Sequence, residues 1–94
     1  MATYFMFGIY DADALDDISA ERTRAAHQVV ESTGGKIEAM YVLMGDTDLV
    51  LIADFPDARK AIKASIELSK LTGISFSTTP AMKVQEFDQL IAGD

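Results

Sequence analysis

The order in which apolar runs and amphipathic segments follow one another is the feature that most constrains the fold of this chain. Four runs rich in aromatic and β-branched residues are predicted strands, at residues 4–10, 37–44, 48–55 and 74–79. Apolar residues recur at helical spacing over residues 18–33, and again from Pro56-Asp57 to the glycine at position 73. A last segment with this spacing, residues 84–92, is a predicted short helix. The sequence therefore predicts the order β-α-β-β-α-β with a C-terminal helix.

This order leaves few possible topologies. Each β-α-β crossover has to be right-handed, and the turn predicted at residues 45–47 joins the two middle strands as a hairpin. Two such crossovers predict an α+β fold, a ferredoxin-like βαββαβ sandwich with both helices on one face of the sheet. A chain of 94 residues has the size of one domain, and we expect residues 1–94 to form it.

The predicted strands carry apolar residues on both faces, although helices would cover only one of them. In the first strand, Phe5, Phe7 and Ile9 are predicted to face the helices, which leaves four residues on the open face: Tyr4, Met6, Gly8 and Tyr10. Such a face exceeds the apolar patch of a few hundred Å² that monomers usually expose. We therefore predict that two sheets pair face to face as a dimeric α/β barrel, in a homodimer or higher homo-oligomer. The alternative is that the C-terminal helix folds back over this face.

The open face is also the predicted ligand site. If Phe76 in the fourth strand faces the helices, the hydroxyl side chains of that strand lie beside the first strand on the open face. A mostly apolar cleft with a few convergent polar groups is typical of small-molecule sites. The predicted ligand-binding residues are Tyr4, Met6, Tyr10, Ser75, Ser77 and Thr79. Small polar residues are equally typical of a solvated edge strand, so this alternative stays open.

The composition of the chain limits the partners, metal sites and cofactors to be expected. The formal net charge of −7 repels phosphate backbones and anionic lipid, so we expect neither nucleic acid nor a membrane as a partner. The chain has no cysteine and one histidine, so we expect no metal site and no cofactor. With no apolar run of membrane-spanning length and no basic leader segment, a cytoplasmic location is the expectation.

Asp54 is the acidic residue with two plausible roles. It follows an apolar strand and precedes Phe55-Pro56, where a partly buried carboxylate would suit proton transfer. With Tyr10 it forms the pair of weak catalytic candidates. The same carboxylate could instead cap the first turn of the second long helix, and its position next to that helix favours the cap.

Several short motifs, in a fixed order, resemble the GYD-domain family from about residue 3 to residue 90. The motifs are Gly34-Gly35-Lys36, Gly45 with Asp48, Asp54-Phe55-Pro56-Asp57, Gly73 and Thr78-x-x-Ala81-Met82, with Arg22 in the first long helix. One position departs from the pattern, since Thr47 stands where the family's tyrosine is expected before Asp48. The resemblance implies a ferredoxin-like domain of the dimeric α/β barrel type without an established activity. It also implies a distant similarity to cofactor-free monooxygenases and ligand-sensing barrel domains.

Three functions follow as hypotheses. The favoured one is an oligomeric module that binds a small hydrophobic or aromatic molecule or acts as an interaction module. The second is a cofactor-independent monooxygenase or isomerase of a small hydrophobic metabolite, with Tyr4, Tyr10 and Asp54 as its polar residues. The third is a purely structural assembly unit. A dry, filled barrel would favour the third, and an open cavity the first two.

Overall fold

The computed structural model describes residues 1–93, and over that range the chain forms one four-stranded antiparallel sheet and four helices. The strands are β1 (Ala2–Ile9), β2 (Lys36–Val42), β3 (Leu49–Phe55) and β4 (Ser75–Ala81). The helices are α1 (Ala12–Asp16), α2 (Ala20–Ser32), α3 (Ala58–Thr72) and α4 (Val84–Ile91). The strand order is β2-β3-β1-β4. This confirms the predicted ferredoxin-like α+β fold, whereas the five-residue helix α1 was not predicted.

Side-chain caps determine where the long helices begin. The Ser19 hydroxyl accepts a hydrogen bond from the backbone N–H of Arg22 at the start of α2, at 3.0 Å. The Asp57 carboxylate accepts from the N–H of Lys60 at the start of α3, at 2.9 Å. The prediction that Asp54 caps this helix is therefore wrong, because Asp54 lies within β3, three residues before the cap.

The core lies between the helices and one face of the sheet, and it contains residues that were predicted for the other face. Tyr4 is 7% exposed and Met6 is 0% exposed, and both belong to the main hydrophobic cluster. The predicted orientation of the first strand is therefore wrong. The reason lies at Gly8, where a Cβ would sit 2.8 Å from Ile74 Cγ2. Only glycine fits this crowded side of the strand, and the two-residue alternation then directs Tyr4 and Met6 to the same side.

A β-bulge decides the faces of β2. The register with β3 shifts between Ile37 and Ala39, so that Ala39 pairs with Ile52 and Tyr41 pairs with Val50. Directly paired residues of neighbouring strands share a face. Ala39 and Tyr41 therefore lie on the face that the helices leave uncovered. We call this surface the open face, and its apolar members are Phe5, Phe7, Ile9, Ala39, Tyr41, Val50 and Ile52.

Helix α4 does not cover the open face, so the alternative that it folds back over the sheet is wrong. No residue of α4 is buried. Its apolar side chains remain more than half exposed: Val84, Phe87, Leu90 and Ile91. Within residues 1–93, no helix combines the length and the apolar character needed to cross a membrane.

Candidate functional site: a cavity between α2 and the sheet

A cavity of about 230 Å³ lies on the helix-covered side of the sheet. Its walls come from α2, from α3 and from the end of the sheet where β1 finishes and β3 and β4 begin. The apolar side chains that line it include Ala26, Leu49, Leu51, Leu68, Ile74 and Phe76. The cavity is therefore a mostly apolar space next to the core.

Arg22 and Tyr10 supply the distinctive polar groups of this cavity. The Arg22 side chain is half-buried, and its Nη1 donates a hydrogen bond of 2.6 Å to the backbone oxygen of Ala14. Its guanidinium carbon lies 5.9 Å from the centroid of the Tyr10 ring, within the range of a cation–π contact. The hydroxyl of Thr72 also reaches the wall, but it already donates to Leu68 and accepts from the N–H of Ile74. The arginine is thus the charged group presented to the cavity.

Helix α1 holds Arg22 in place. The Asp11 carboxylate accepts a hydrogen bond of 2.6 Å from the N–H of Ala14 and so caps this short helix. The carbonyl of Ala14, in the same helix, then accepts from the guanidinium. The acidic segment that follows β1 therefore builds a support for the arginine.

Asp48 holds Tyr10 in place. Its backbone N–H donates to the carbonyl of Gly8 at 2.8 Å, and its carboxylate accepts from the N–H of Tyr10 at 2.9 Å. Both bonds fix the chain just where β1 ends and Tyr10 enters the cavity wall. The loop between β2 and β3 is thereby tied to the first strand.

The structure separates the six predicted ligand-binding residues instead of joining them in one cleft. Tyr4 and Met6 are core residues, and Tyr10 lines the cavity. The remaining three lie exposed on the open face of β4, opposite alternate residues of β1: Ser75, Ser77 and Thr79. The expected neighbourhood of these hydroxyls with Tyr4 and Met6 is wrong, because the two groups point to opposite sides of the sheet.

The two catalytic candidates also lie apart. Asp54 is on the open face, where its carboxylate accepts a hydrogen bond of 2.6 Å from the hydroxyl of Thr3. Thr3 lies near the start of β1, whereas Tyr10 follows the last residue of β1. Seven residues of extended strand, at about 3.3 Å each, separate Thr3 from Tyr10 by roughly 23 Å. Asp54 and Tyr10 therefore do not share a site.

Arg22 was not among the predicted site residues, although the sequence carried a signal for it. It stands at helical spacing from Ala26 and Val30, the residues that α2 buries. A long cationic side chain on the apolar side of a helix must either extend to solvent or find a polar partner. The partner here is a carbonyl of α1, a helix that was not predicted.

Comparison with known proteins assigns the chain to a family. The profile of the GYD domain matches residues 4–91. The chain belongs to the GYD-domain family. The matched region of this GYD domain runs from the first core residue of β1 to the end of α4, so it includes the cavity and the open face. A search of curated proteins gave no match.

One solved structure supports the fold of the GYD domain. The leucine response regulatory protein LrpA of Mycobacterium tuberculosis is similar with a TM-score of 0.58 over 87% of this chain, at 12% sequence identity. The GYD domain spans only about half of that structure, 51% of its length. At this identity the similarity shows a shared ferredoxin-like fold and carries no function.

Proposed function

We propose that this GYD domain is a homodimeric binding module whose cavity holds a small hydrophobic molecule. The observation that carries the proposal is the cavity of about 230 Å³, with an apolar wall and an arginine at its side. The cavity is open to solvent on one side, so a small molecule can enter it. An apolar cavity of about 150 Å³ suffices to bind benzene. The space here accommodates a single ring, or a short aliphatic chain, with a polar substituent.

The arrangement supports binding over turnover. The walls of the cavity, as far as residues 1–93 form them, contain neither a carboxylate nor a histidine. The enzymatic hypothesis named Tyr4, Tyr10 and Asp54. Of these, Tyr10 lines the cavity and Tyr4 belongs to the core, whereas Asp54 lies in β3, beside the start of β1 and on the other side of the sheet. The hypothesis of a purely structural unit concerns the space between two paired sheets, whereas this cavity lies on the helix-covered side, so that hypothesis stays an alternative.

The cavity hypothesis is tested by filling the cavity. In the variant Ala26→Leu the added side chain occupies the space against α2, because Ala26 is 6% exposed and lines the wall. Benzyl alcohol is titrated into the ¹⁵N-labelled protein while amide shifts are recorded. We expect saturable shifts around the cavity in the wild type and their loss in Ala26→Leu. The matched control Ala58→Leu, at an exposed helix position, should bind like the wild type. Unsaturable or scattered shifts in the wild type would refute a binding cavity.

The second copy is the partner that the open face fits best. Four strands about 4.8 Å apart and seven residues long present a plane of roughly 20 by 23 Å. The side chains of the open face raise its accessible area above this flat estimate, towards the approximately 800 Å² per partner of a standard interface. An apolar surface without charged residues at its centre is also complementary to itself, as a two-fold symmetric interface requires.

The dimer hypothesis is tested at Phe7, near the middle of the open face. In Phe7→Glu two like charges would meet close to the two-fold axis, and we expect monomers in sedimentation equilibrium where the wild type is dimeric. The control Ile62→Glu changes an apolar side chain that is 58% exposed on α3, away from the open face, and should stay dimeric. A monomeric wild type, or a Phe7→Glu variant that still dimerises, would show that the open face is not the interface.

A further inference from the structure

We infer that the ligand of the cavity is a small hydrophobic acid whose carboxylate is bound by the Arg22 guanidinium. The inference rests on the proposed function and names the class of molecule. Three observations support it: the unused N–H donors of Arg22, the charges around the cavity and the size of the cavity.

The Arg22 guanidinium has N–H donors that no acceptor of the described protein uses. A guanidinium has five N–H donors, and the hydrogen bond from Nη1 to Ala14 uses one of them. Arg22 forms no ion pair within residues 1–93, where the salt bridge joins Lys36 to Glu38 at 3.8 Å. Over the same range, the other N–H groups of the Arg22 guanidinium have no protein acceptor, and the side chain lines the cavity. Arg22 therefore offers free donors to an acceptor that enters the cavity.

The charges around the cavity favour an anion at this point. The chain carries fifteen acidic and eight basic residues, yet no carboxylate of residues 1–93 lines the cavity wall. The carboxylate of Asp48, close by, already accepts from the N–H of Tyr10. The wall of the cavity thus contains one cation and, within residues 1–93, no carboxylate.

The site fits a carboxylate better than a phosphate. One guanidinium can bind either anion through two parallel N–H···O bonds, but its single charge balances a carboxylate and leaves a phosphate monoester about one negative charge in excess. A phosphate group usually needs several cationic or backbone donors, and the capping hydroxyl of Ser19 already occupies an N–H at the start of α2. The Ala14 carbonyl and the Tyr10 ring hold the guanidinium on two sides, so its orientation is fixed before a ligand arrives. With the acid group at Arg22, a single ring or short chain fills the apolar remainder.

The test compares phenylacetate with phenylacetamide, which have nearly the same shape and differ in charge. Both are titrated into the ¹⁵N-labelled protein at neutral pH, with the amide shifts and the Arg22 Nε–H resonance as readouts. We expect phenylacetate to bind about tenfold or more tightly than the amide, the range of a charge-assisted pair. This preference should vanish in Arg22→Gln and persist in Arg24→Gln. The control makes the same charge change at an exposed position on the same helix.

The possible outcomes separate this inference from the proposed function. Equal affinities of the wild type for acid and amide would overturn the inference and leave the binding cavity standing. Failure of both compounds and of benzyl alcohol to bind would overturn the two proposals together. If Arg22→Gln does not fold, the comparison of acid with amide in the wild type still decides. An added salt dependence seen only for the acid would support the ion pair.

Discussion

Truncation of two neighbouring residues of β1 tests which side of the strand belongs to the core. Met6 is 0% exposed, and in Met6→Ala the lost contacts and the remaining cavity should lower the free energy of unfolding by about 3 kcal/mol, within the usual 2–5 kcal/mol. For a domain of this size, about 1 kcal/mol shifts Tm by roughly 4–8 °C, so we expect Tm to fall by approximately 12–24 °C. This is a large part of the approximately 5–15 kcal/mol that stabilises an ordinary domain.

Phe7→Ala should behave differently, because Phe7 lies half-buried on the open face. Part of its ring already packs within one subunit, next to Phe5, with 6.2 Å between the ring centroids. We expect the isolated subunit to lose only about 1–2 kcal/mol, less than the 3–5 kcal/mol for a fully buried phenylalanine. In the homodimer proposed above, the rest of the effect should appear as weaker association. A loss of about 1.4 kcal/mol from each of two subunits would raise the dimer dissociation constant roughly a hundredfold.

Urea denaturation followed by circular dichroism measures both effects, at protein concentrations well below and well above the dimer dissociation constant. The midpoint of a dimer rises with protein concentration, whereas a defect within the subunit persists at every concentration. The reasoning is refuted if Phe7→Ala costs more than Met6→Ala at the lowest concentration and shows no dependence on it. Phe7 would then be a core residue, and the strand would have the orientation that the sequence alone predicted.

Substitutions at three further positions test separate contacts. Gly8→Val would place a side chain within 2.8 Å of Ile74, so we expect a loss of about 1–3 kcal/mol or more in urea denaturation, and wild-type stability would contradict the packing. Asp57→Ala removes the cap of α3 and should cost about 1 kcal/mol by the same measurement, with an unchanged midpoint as the contrary result. Asp48→Ala should speed hydrogen exchange at the Tyr10 N–H, and Asp48→Asn, which keeps an acceptor, should do so less; equal rates would contradict the bond.

The fold was predictable because local signals agree with one another. Glycine at position 73 has φ +74°, a conformation that glycine adopts at little cost, and it ends α3 where the sequence predicts. Because both crossovers of the β-α-β-β-α-β order must be right-handed, this order leads to the ferredoxin-like topology. These signals are set by residues close together in the sequence, so they can be recognised without knowing which distant residues pack against them.

The faces of β1 were not predictable in this way, because both sides of the strand are apolar. An alternating pattern shows which residues share a side, but it does not show which side meets the helices. The contact that decides it joins Gly8 to Ile74, residues that are distant in the sequence. The bulge between Ile37 and Ala39 is likewise a feature of strand pairing, with no strong local signal. The prediction of a ligand cleft was wrong because it depended on the predicted orientation of β1.

The loop before β3 is tied to the residue just after β1 that enters the cavity wall. Asp48 ties this loop to β1 through its own backbone N–H and its own carboxylate, and the second of these bonds holds Tyr10 at the cavity. Neither bond uses the side chain at position 47, where this chain has threonine in place of the tyrosine expected from the family resemblance. The exchange therefore leaves the link between the loop and the cavity intact. Of Gly45, Thr47 and Asp48, the aspartate is the residue that holds Tyr10 at the cavity.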